Sequence, residues 1–502
     1  MAHLTTLPNE ILHSIFGNLD PEDLATVPRI CRRLNDFVKG NHRLCLEIYL
    51  KILDQPGDGV QLDWQRELHD LVRLRNICRR ELAEDKQNHI AFVHDTVARL
   101  LRNARSDRTL SAAYLDAHLA SRNAELVLSL FRVDSNRAAF LQLSSLFDRV
   151  LKKSHRRKRT LSPQQRQMSA RLHCLYGPPI LRVGRSRAMT TYPYACSQVY
   201  DLRGYTGLAS WGPFMGDNSG NVDWEKVEAA LIVLSHNMLE RRLTRPFGHI
   251  WHSPFNGSWP DSFVSPKPAD MSELDARDPF GVTGLWHRVV CFLDYNDFFT
   301  FNFPDSNIIL SDAPRPPIHT EQAVRLILMR IHVTKIEDPP PEYRQDYPLV
   351  HFKGTSRPTD DAWDDNATSD IRGYVGMTRE GEVRWTTHSI YHGHERWKSE
   401  GIQIGGIKSA RGVVGHWFDR GQDPQGPCGP TAFWKASDDE HVSDTFSRGP
   451  TFHDFLIWGE PFELDQDEGL GATLAALDAP PYPFHNYLYN GLHDEIHDEL
   501  HD

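Results

Sequence analysis

The sequence predicts an α+β multidomain protein, with a three-helix module at its N-terminal end, a helical linker, and a C-terminal antiparallel β barrel or sandwich. Apolar residues recur at helical spacing through roughly the first third of the chain. Between 282 and 434 the pattern changes to short aromatic or β-branched runs separated by Gly, Pro, Asp and Asn. The length of 502 residues also exceeds what one hydrophobic core usually organises, so several structural units are expected.

Changes in composition divide the chain into six predicted segments. They are the three-helix module at 1–45, a helical linker region at 46–150, a basic and irregular linker at 151–222, a helix with a Trp/Pro-rich loop at 223–281, the antiparallel β domain at 282–435, and an acidic, partly disordered tail at 436–502. The 223–281 helix is expected to begin after Asp223 and to run to about Leu243.

Charge and cysteine usage exclude several classes of protein. A formal net charge of -11 argues against general nucleic-acid binding, which needs a surplus of cations on one face. The seven cysteines are odd in number and never form CxxC, as expected for a reduced intracellular protein without a thiolate metal site. No signal-peptide pattern and no apolar run of about 20 residues is present. We therefore expect no membrane partner, no cofactor, and a location in the cytoplasm and/or the nucleus.

The first forty residues carry consistent signals for short helices. Asp20 is placed to cap a helix that has Pro21 in its first turn, and Pro8 suits the start of the helix before it. In the first helix, apolar residues recur at helical spacing at Ile11, Leu12, Ile15, Phe16 and Leu19. Three helices of this size cannot bury so much apolar surface among themselves. The pattern therefore predicts a partner surface; the alternative is a helical cap that packs on the chain's own core.

This module resembles an F-box through Leu7-Pro8-Asn9-Glu10-Ile11-Leu12, Ile15-Phe16, Leu19, Asp23-Leu24, Val27 and Ile30-Cys31-Arg32-Arg33-Leu34. The resemblance implies a non-catalytic subunit of a ubiquitin ligase that binds a Skp adaptor and, through it, a cullin-RING scaffold. Leu34 departs from the tryptophan often found at its position in the family. The resemblance assigns adaptor binding to Leu7, Pro8, Ile11, Leu12, Ile15, Phe16, Leu19, Leu24, Val27, Cys31 and Leu34.

In the β region, plausible strands lie near 282–303, 324–336, 348–354, 370–378, 382–391, 399–408 and 412–419. The clearest hairpin runs from Ile371–Met377 through a turn with Gly381 into 383–389, with Val383, Trp385 and Thr387 on a buried face. The opposite face, with Arg384, Thr386 and His388, is expected to be wetter.

The β region also resembles, more loosely, a domain of fungal F-box proteins, through the segments 351–357, 381–385 and 396–401. Its layout is similar to animal F-box proteins that recognise cyclin degrons with a β barrel, which implies that the barrel mouth receives a peptide segment or chain terminus. Because cations and aromatic side chains commonly anchor a partner, the candidate substrate contacts are Arg357, Arg384, His388, Arg396, Trp397 and Trp417. Each aromatic among them could instead be an ordinary core residue.

Other motifs give weaker signals. Six cations in 152–159 predict an exposed segment, either a nuclear-import signal or a plain charged linker. His392-Gly393-His394-Glu395 is interpreted as a surface turn, and the four-residue repeat of His493, His497 and His501 as a mobile acidic end; neither predicts a metal site. No nucleophile, P-loop or dinucleotide motif is present, so no catalytic residue is predicted.

Three functional hypotheses follow. The first is the substrate-recognition subunit of a Skp-cullin-F-box ubiquitin ligase, whose β domain binds a degron of an unknown protein substrate. The second keeps the adaptor contact but gives the complex a role outside ubiquitination. The third makes the β region a barrel that binds a small apolar ligand, which a closed apolar cavity would favour.

Overall fold

The structure is a computed structural model that describes residues 4–57, 59–106, 121–151, 161–177, 186–241, 254–265, 271–304, 315–359 and 368–439. The predicted basic run 152–159, Trp251 and the acidic tail beyond residue 439 lie outside the described residues. The described part combines an N-terminal set of helices with a C-terminal closed antiparallel barrel, so the predicted α+β class is confirmed.

The N-terminal module, defined here as residues 4–52, consists of four short α-helices and two 3-10 turns. The α-helices are Asn9–Phe16, Pro21–Leu24, Arg32–Val38 and His42–Ile52; the 3-10 turns are Leu4–Thr6 and Val27–Arg29. Pro21 stands in the first turn of the second helix as predicted, although the Asp20 side chain makes no capping hydrogen bond. Asn41 caps the fourth helix by accepting a hydrogen bond from the Leu44 amide at 3.1 Å.

The module does not bury its apolar residues alone. Glu22 forms ion pairs with Arg75 in the next helix, Trp64–Cys78, and with Arg79 just after the end of that helix. Within the module, Phe16 packs on Phe37 with ring centroids 5.8 Å apart. Later helices of the same chain therefore cover one side of the module, as the alternative of packing on the chain's own core expects for that side, and the partner surface stays a prediction.

The remaining described helices lie between the module and the barrel, with two short ones next to the first strand. Their bounds are Trp64–Cys78, Ala83–Gln87, Ile90–Arg102, Arg122–Phe131, Asp134–Phe140, Ser145–Leu151, Pro163–Tyr176, Ser186–Val199, the 3-10 turn Leu202–Gly204, Trp224–Glu240, Glu273–Arg277 and Tyr295–Asn302. The segment 151–222, expected to be an irregular linker, thus contains two helices of fourteen residues. One begins with a complete capping box of Ser162 and Gln165, a signal that the nearby charge run obscured.

Eight antiparallel strands form the barrel, which distinguishes it from the sandwich alternative. They are β1 Gly284–Phe292, β2 Ala323–Glu337, β3 Leu349–Pro358, β4 Ser369–Met377, β5 Val383–Tyr391, β6 His394–Gln403, β7 Val413–Asp419 and β8 Cys428–Ser437. Each strand pairs with the next along the chain, and β8 pairs with β1 to close the barrel.

Two parts of the strand prediction are wrong. The segment expected as one strand at 282–303 is β1 followed by the helix Tyr295–Asn302, whose start is capped by Asp294. β8 was missed. The hairpin prediction is confirmed, since Met377 pairs with Val383 and Gly381 has φ +88° in the turn. Its opposite face is less wet than expected, because Thr386 is fully buried.

The barrel interior is a compact aromatic core. Trp286, Trp385 and Phe433 meet with ring centroids 4.9–5.8 Å apart, and Phe352 lies 5.7 Å from Trp385. Val383 and Trp385 are buried here, as their alternation predicted. The interior of this barrel is therefore filled by side chains at its centre, as is usual for eight strands.

A second core joins the helices to the outside of the barrel. The helix Trp224–Glu240 packs against β1, β7 and β8, and Asp223 caps its start. One continuous cluster of buried apolar residues runs from Leu12 in the N-terminal module to Trp434 on β8. Because protein interiors are densely packed, this shared core holds the module and the barrel at a fixed distance from each other.

His416 on β7 is buried beneath this helix. Its ring lies 5.4 Å from the ring of Tyr205, and burial, with a smaller contribution from the nearby Lys226 ammonium, lowers the pKa of His416 from 6.5 to about 3. The folded protein therefore holds a neutral imidazole through the weakly acidic range.

We expect this imidazole to make the free energy of unfolding depend on pH. Below about pH 6.5 the unfolded chain gains a proton at His416 that the folded chain does not bind, so stability is full above this pH and declines below it. Between pH 7 and pH 5 the loss from this group is about 2 kcal/mol. Urea unfolding of His416→Gln should show a pH dependence that is weaker by that amount; an unchanged dependence would contradict the assignment.

Candidate functional site

The first helix of the module has two apolar faces. Leu12 and Phe16 point into the core of the chain, while Ile11 and Ile15 are 47% and 40% exposed. Pro8, just before the helix, is also exposed. Because residues three, four and seven apart share a helix face, Pro8, Ile11 and Ile15 form one outward strip, called here the apolar stripe.

The helix that carries the apolar stripe is held firmly from behind. His13 contacts Glu47 at 2.9 Å, and Lys51 donates a hydrogen bond to the Gly17 carbonyl at the end of the helix. At its start, Arg33 donates to the Leu7 carbonyl at 2.6 Å. The apolar stripe is therefore displayed on a backbone that its own chain has fixed.

The eleven residues predicted to bind an adaptor fall into three groups, and nothing in the structure tests their predicted role. Pro8, Ile11 and Ile15 are exposed, and Leu7, Leu19 and Cys31 are partly buried. The side chains of the others are already enclosed by the chain itself: Leu12, Phe16, Leu24, Val27 and Leu34.

Two exposed apolar residues of the module were not selected from the sequence. Ile30 is 65% exposed and Leu4 is 41% exposed. Ile30 continues the apolar spacing of the second helix, but the 3-10 turn Val27–Arg29 breaks the helical phase just before it. Spacing alone could therefore not show that this side chain points outward.

The six candidate substrate contacts do not form one site. Trp397 and Trp417 come together with ring centroids 5.3 Å apart, and Trp417 donates a hydrogen bond to the Cys291 carbonyl at 3.0 Å. By their register they face the barrel interior, opposite Ser389 and Ser399. The other four, Arg357, Arg384, His388 and Arg396, lie on the outer face or at an irregularity between β5 and β6.

Arg384 is occupied within the chain. Its Nε lies 2.9 Å from the fully buried Glu400 carboxylate, and its guanidinium sits 4.3 Å from the ring centroid of Phe214. Burial opposes ionisation of Glu400, but Arg384 and Lys398 outweigh it and hold the pKa of that carboxyl below its usual value. Arg384 is therefore a largely buried residue whose guanidinium already has partners within the chain.

A cavity of about 530 Å³ opens at the end of the barrel where β1 begins. Its lining mixes aromatic residues with charges, including Asp278, Asp438 and Lys435. Asp278 accepts from the Phe280 and Val282 amides, and Lys435 donates to the Gly281 carbonyl and pairs with Asp438. This cavity is open to solvent and partly charged, so it differs from the closed apolar cavity that would favour the small-ligand hypothesis. Its three charged groups already have partners within the chain.

Within the motif His392–Glu395, His392 and Gly393 form the turn between β5 and β6 and both have positive φ, while His394 and Glu395 begin β6. That backbone is typical of the two-residue turns that match strand twist. Among the described residues no three His, Cys, Asp or Glu side chains are grouped to hold a metal ion. All seven cysteines are free thiols, and no described helix is long and apolar enough to cross a membrane.

Comparison with known proteins identifies the module. A family model described as F-box-like matches residues 4–51, which are the helices that display the apolar stripe. No curated protein and no solved structure matches the chain. The match covers the module at the N-terminal end of the chain and does not extend to the barrel. Residues 4–51 of the chain therefore form an F-box-like domain.

Proposed function

We propose that this protein is the substrate-recognition subunit of a Skp-cullin-F-box ubiquitin ligase. The N-terminal module binds the Skp adaptor, the adaptor binds a cullin-RING scaffold, and the barrel domain binds the protein substrate. The chain itself performs no chemistry, because the ubiquitin is transferred from the E2 that the RING subunit recruits. The complex acts in the cytoplasm and/or the nucleus.

The observation that carries this proposal is the apolar stripe inside the F-box-like match. Two β-branched side chains and a proline on one helix face leave apolar surface in water that a partner protein would cover, at roughly 25 cal/mol for each Å² buried. The buried residues of the module act indirectly in this proposal, because they hold the helix in place.

The continuous core between the module and the barrel supports the second half of the proposal. A substrate bound to a rigidly attached domain stays at a fixed distance from the adaptor and the E2. A mobile tether would instead dilute the substrate over a large volume. The helices between the two regions therefore act as a spacer.

Co-purification with a recombinant Skp adaptor is the first test. We expect a one-to-one complex on size exclusion, with the adaptor retained after washing in moderate salt because the contact is apolar. The complex is then added to cullin-RING scaffold, E1, E2 and ubiquitin, with a cell extract as the source of substrates. Absence of adaptor binding would refute the proposal.

The same assay separates the ubiquitin role from a role outside ubiquitination. Ubiquitinated proteins that appear with the wild-type chain and not with a variant lacking the apolar stripe support the ligase subunit. Adaptor binding without any such proteins, and without their accumulation when the chain is deleted in cells, would favour the other role.

A further inference from the structure

An unusual set of basic side chains lies across the outside of the barrel. On five successive strands the residues directly opposite one another are His332 on β2, Lys353 on β3, Arg372 on β4, His388 on β5 and Lys398 on β6. We call these five the basic row. With neighbouring strands about 4.8 Å apart, the row extends about 19 Å over the barrel surface.

Sheet energetics alone do not favour this arrangement. Side chains that face each other across paired strands have Cβ atoms about 5 Å apart, and like charges in such pairs destabilise a sheet. Lys353 stands between His332 and Arg372, and Lys353 and His332 are exposed. A role in binding a partner would explain why the row is present despite this cost to the stability of the sheet.

Three carboxylates, Glu395, Glu400 and the exposed Asp370 on β4, lie beside the row, and they are outnumbered by five lysine and arginine residues there: Lys353, Arg372, Arg384, Lys398 and Arg420. The Glu395 carboxylate is shared by Arg372, Arg420 at 2.9 Å and His388 at 3.5 Å. Although burial opposes it, these three groups hold the pKa of Glu395 below its usual value. Burial also lowers the pKa of His388 below 6.5, so near neutral pH the lysine and arginine residues carry the charge of the row.

At the other end of the row, Glu400 is shared by Lys398 at 2.9 Å and Arg384. Among the described residues no carboxylate lies within ion-pair distance of Lys353. The surface therefore keeps a cationic surplus centred on Lys353 and Arg372.

We propose that the basic row is the docking surface for a run of Asp or Glu side chains in a partner protein. This deepens the proposed function and rests on it where it names that partner as the substrate. The row is one side chain wide, and two of its members already share carboxylates. Nucleic acid would need a broad cationic face, whereas an extended acidic segment of about six residues matches the row in length.

The test measures the affinity of the full chain for a fluorescein-labelled hexaglutamate peptide by anisotropy at low ionic strength. We expect Lys353→Gln with Arg372→Gln to weaken binding about 10-fold, because the two cations at the centre of the row are lost. Binding by the wild-type chain should also fall as salt is added. Thermal unfolding should be nearly unchanged, because both side chains are exposed.

The control variant has the same net charge as the Lys353 and Arg372 variant. Arg43→Gln with Arg66→Gln removes two exposed cations from the N-terminal helices, and this variant should bind hexaglutamate as the wild-type chain does. Equal affinity of the two double variants would overturn the proposal. So would equal binding of hexaglutamine, or tighter binding of a single-stranded oligothymidylate of the same charge.

Adaptor binding is measured on the same samples, so the two proposals can fail separately. Loss of hexaglutamate binding with normal adaptor affinity in the Lys353 and Arg372 variant is the expected result. If the wild-type chain binds hexaglutamate but no adaptor, the ligase role is refuted and the acidic partner of the row is not a ubiquitination substrate.

Discussion

Ile11→Asp with Ile15→Asp should abolish binding of the Skp adaptor while the protein stays folded. Each change would place a carboxylate where apolar contact is proposed, so the adaptor surface would lose apolar burial and a charge would be desolvated. A loss of at least about 3 kcal/mol, or roughly 100-fold in affinity, is expected. Isothermal titration with the purified adaptor measures it. Both side chains already face water, so the free energy of unfolding should change by about 0.5 kcal/mol or less for each.

Matched variants test whether the loss of adaptor affinity comes from the apolar stripe or from any carboxylate added to the surface. Val60→Asp with Leu82→Asp changes two apolar residues outside the F-box-like match that are 43% and 59% exposed, and it should leave adaptor affinity unchanged. Leu12→Ala, in the core, should instead destabilise the chain by about 2–5 kcal/mol. Normal adaptor affinity in the Ile11 and Ile15 variant would contradict the role of the stripe.

Arg384→Met should destabilise the chain by about 3–5 kcal/mol, because it removes the main partner of a buried carboxylate. Glu400 would be left with Lys398 at 2.9 Å and the Thr386 hydroxyl at 2.9 Å, and the contact of the guanidinium with Phe214 would be lost. Urea unfolding followed by tryptophan fluorescence would report it. A loss of substrate binding in this variant would then follow from unfolding, in contrast to the direct contact predicted from the sequence.

A double variant tests whether the Glu400 carboxylate left without Arg384 causes the loss of stability in Arg384→Met. Replacing both partners, Arg384→Met with Glu400→Leu, removes the isolated charge and should recover much of the lost stability. Arg372→Met removes an exposed arginine from Glu395, which keeps Arg420 as a partner, and should cost less than about 1 kcal/mol. If Arg384→Met were no more destabilising than Arg372→Met, the buried pair would have no structural role.

The apolar spacing of the N-terminal module predicted its helices but not which side faces a partner. The first helix has two adjacent faces, one with Ile11 and Ile15 and the other with Leu12 and Phe16. Both faces are apolar, so the sequence does not distinguish them. The position of the helix His42–Ile52, which contacts the first helix through Glu47 and Lys51, determines which face is covered. Tertiary packing of this kind lies beyond local periodicity.

In the β region, alternation placed Trp385 inside the barrel correctly, and the missed elements have local causes. β8 begins with Cys428, Gly429 and Pro430, and Gly and Pro usually mark loops. The helix Tyr295–Asn302 is rich in aromatics, which favour strands, and the capping signal of Asp294 was overlooked. The basic row depends on the register of five strands, so the sequence alone could not bring its residues together.

The pairing of β8 with β1 also limits how any partner can be recognised. Every strand of the barrel has a neighbour on both sides, so it offers no open edge to which an incoming extended peptide could add as a further strand. Recognition by main-chain hydrogen bonding, which tolerates many sequences, is thereby excluded for this sheet. A partner of the barrel must be selected by side chains or by the loops at its ends, which ties selectivity to individual residues that point mutations can change.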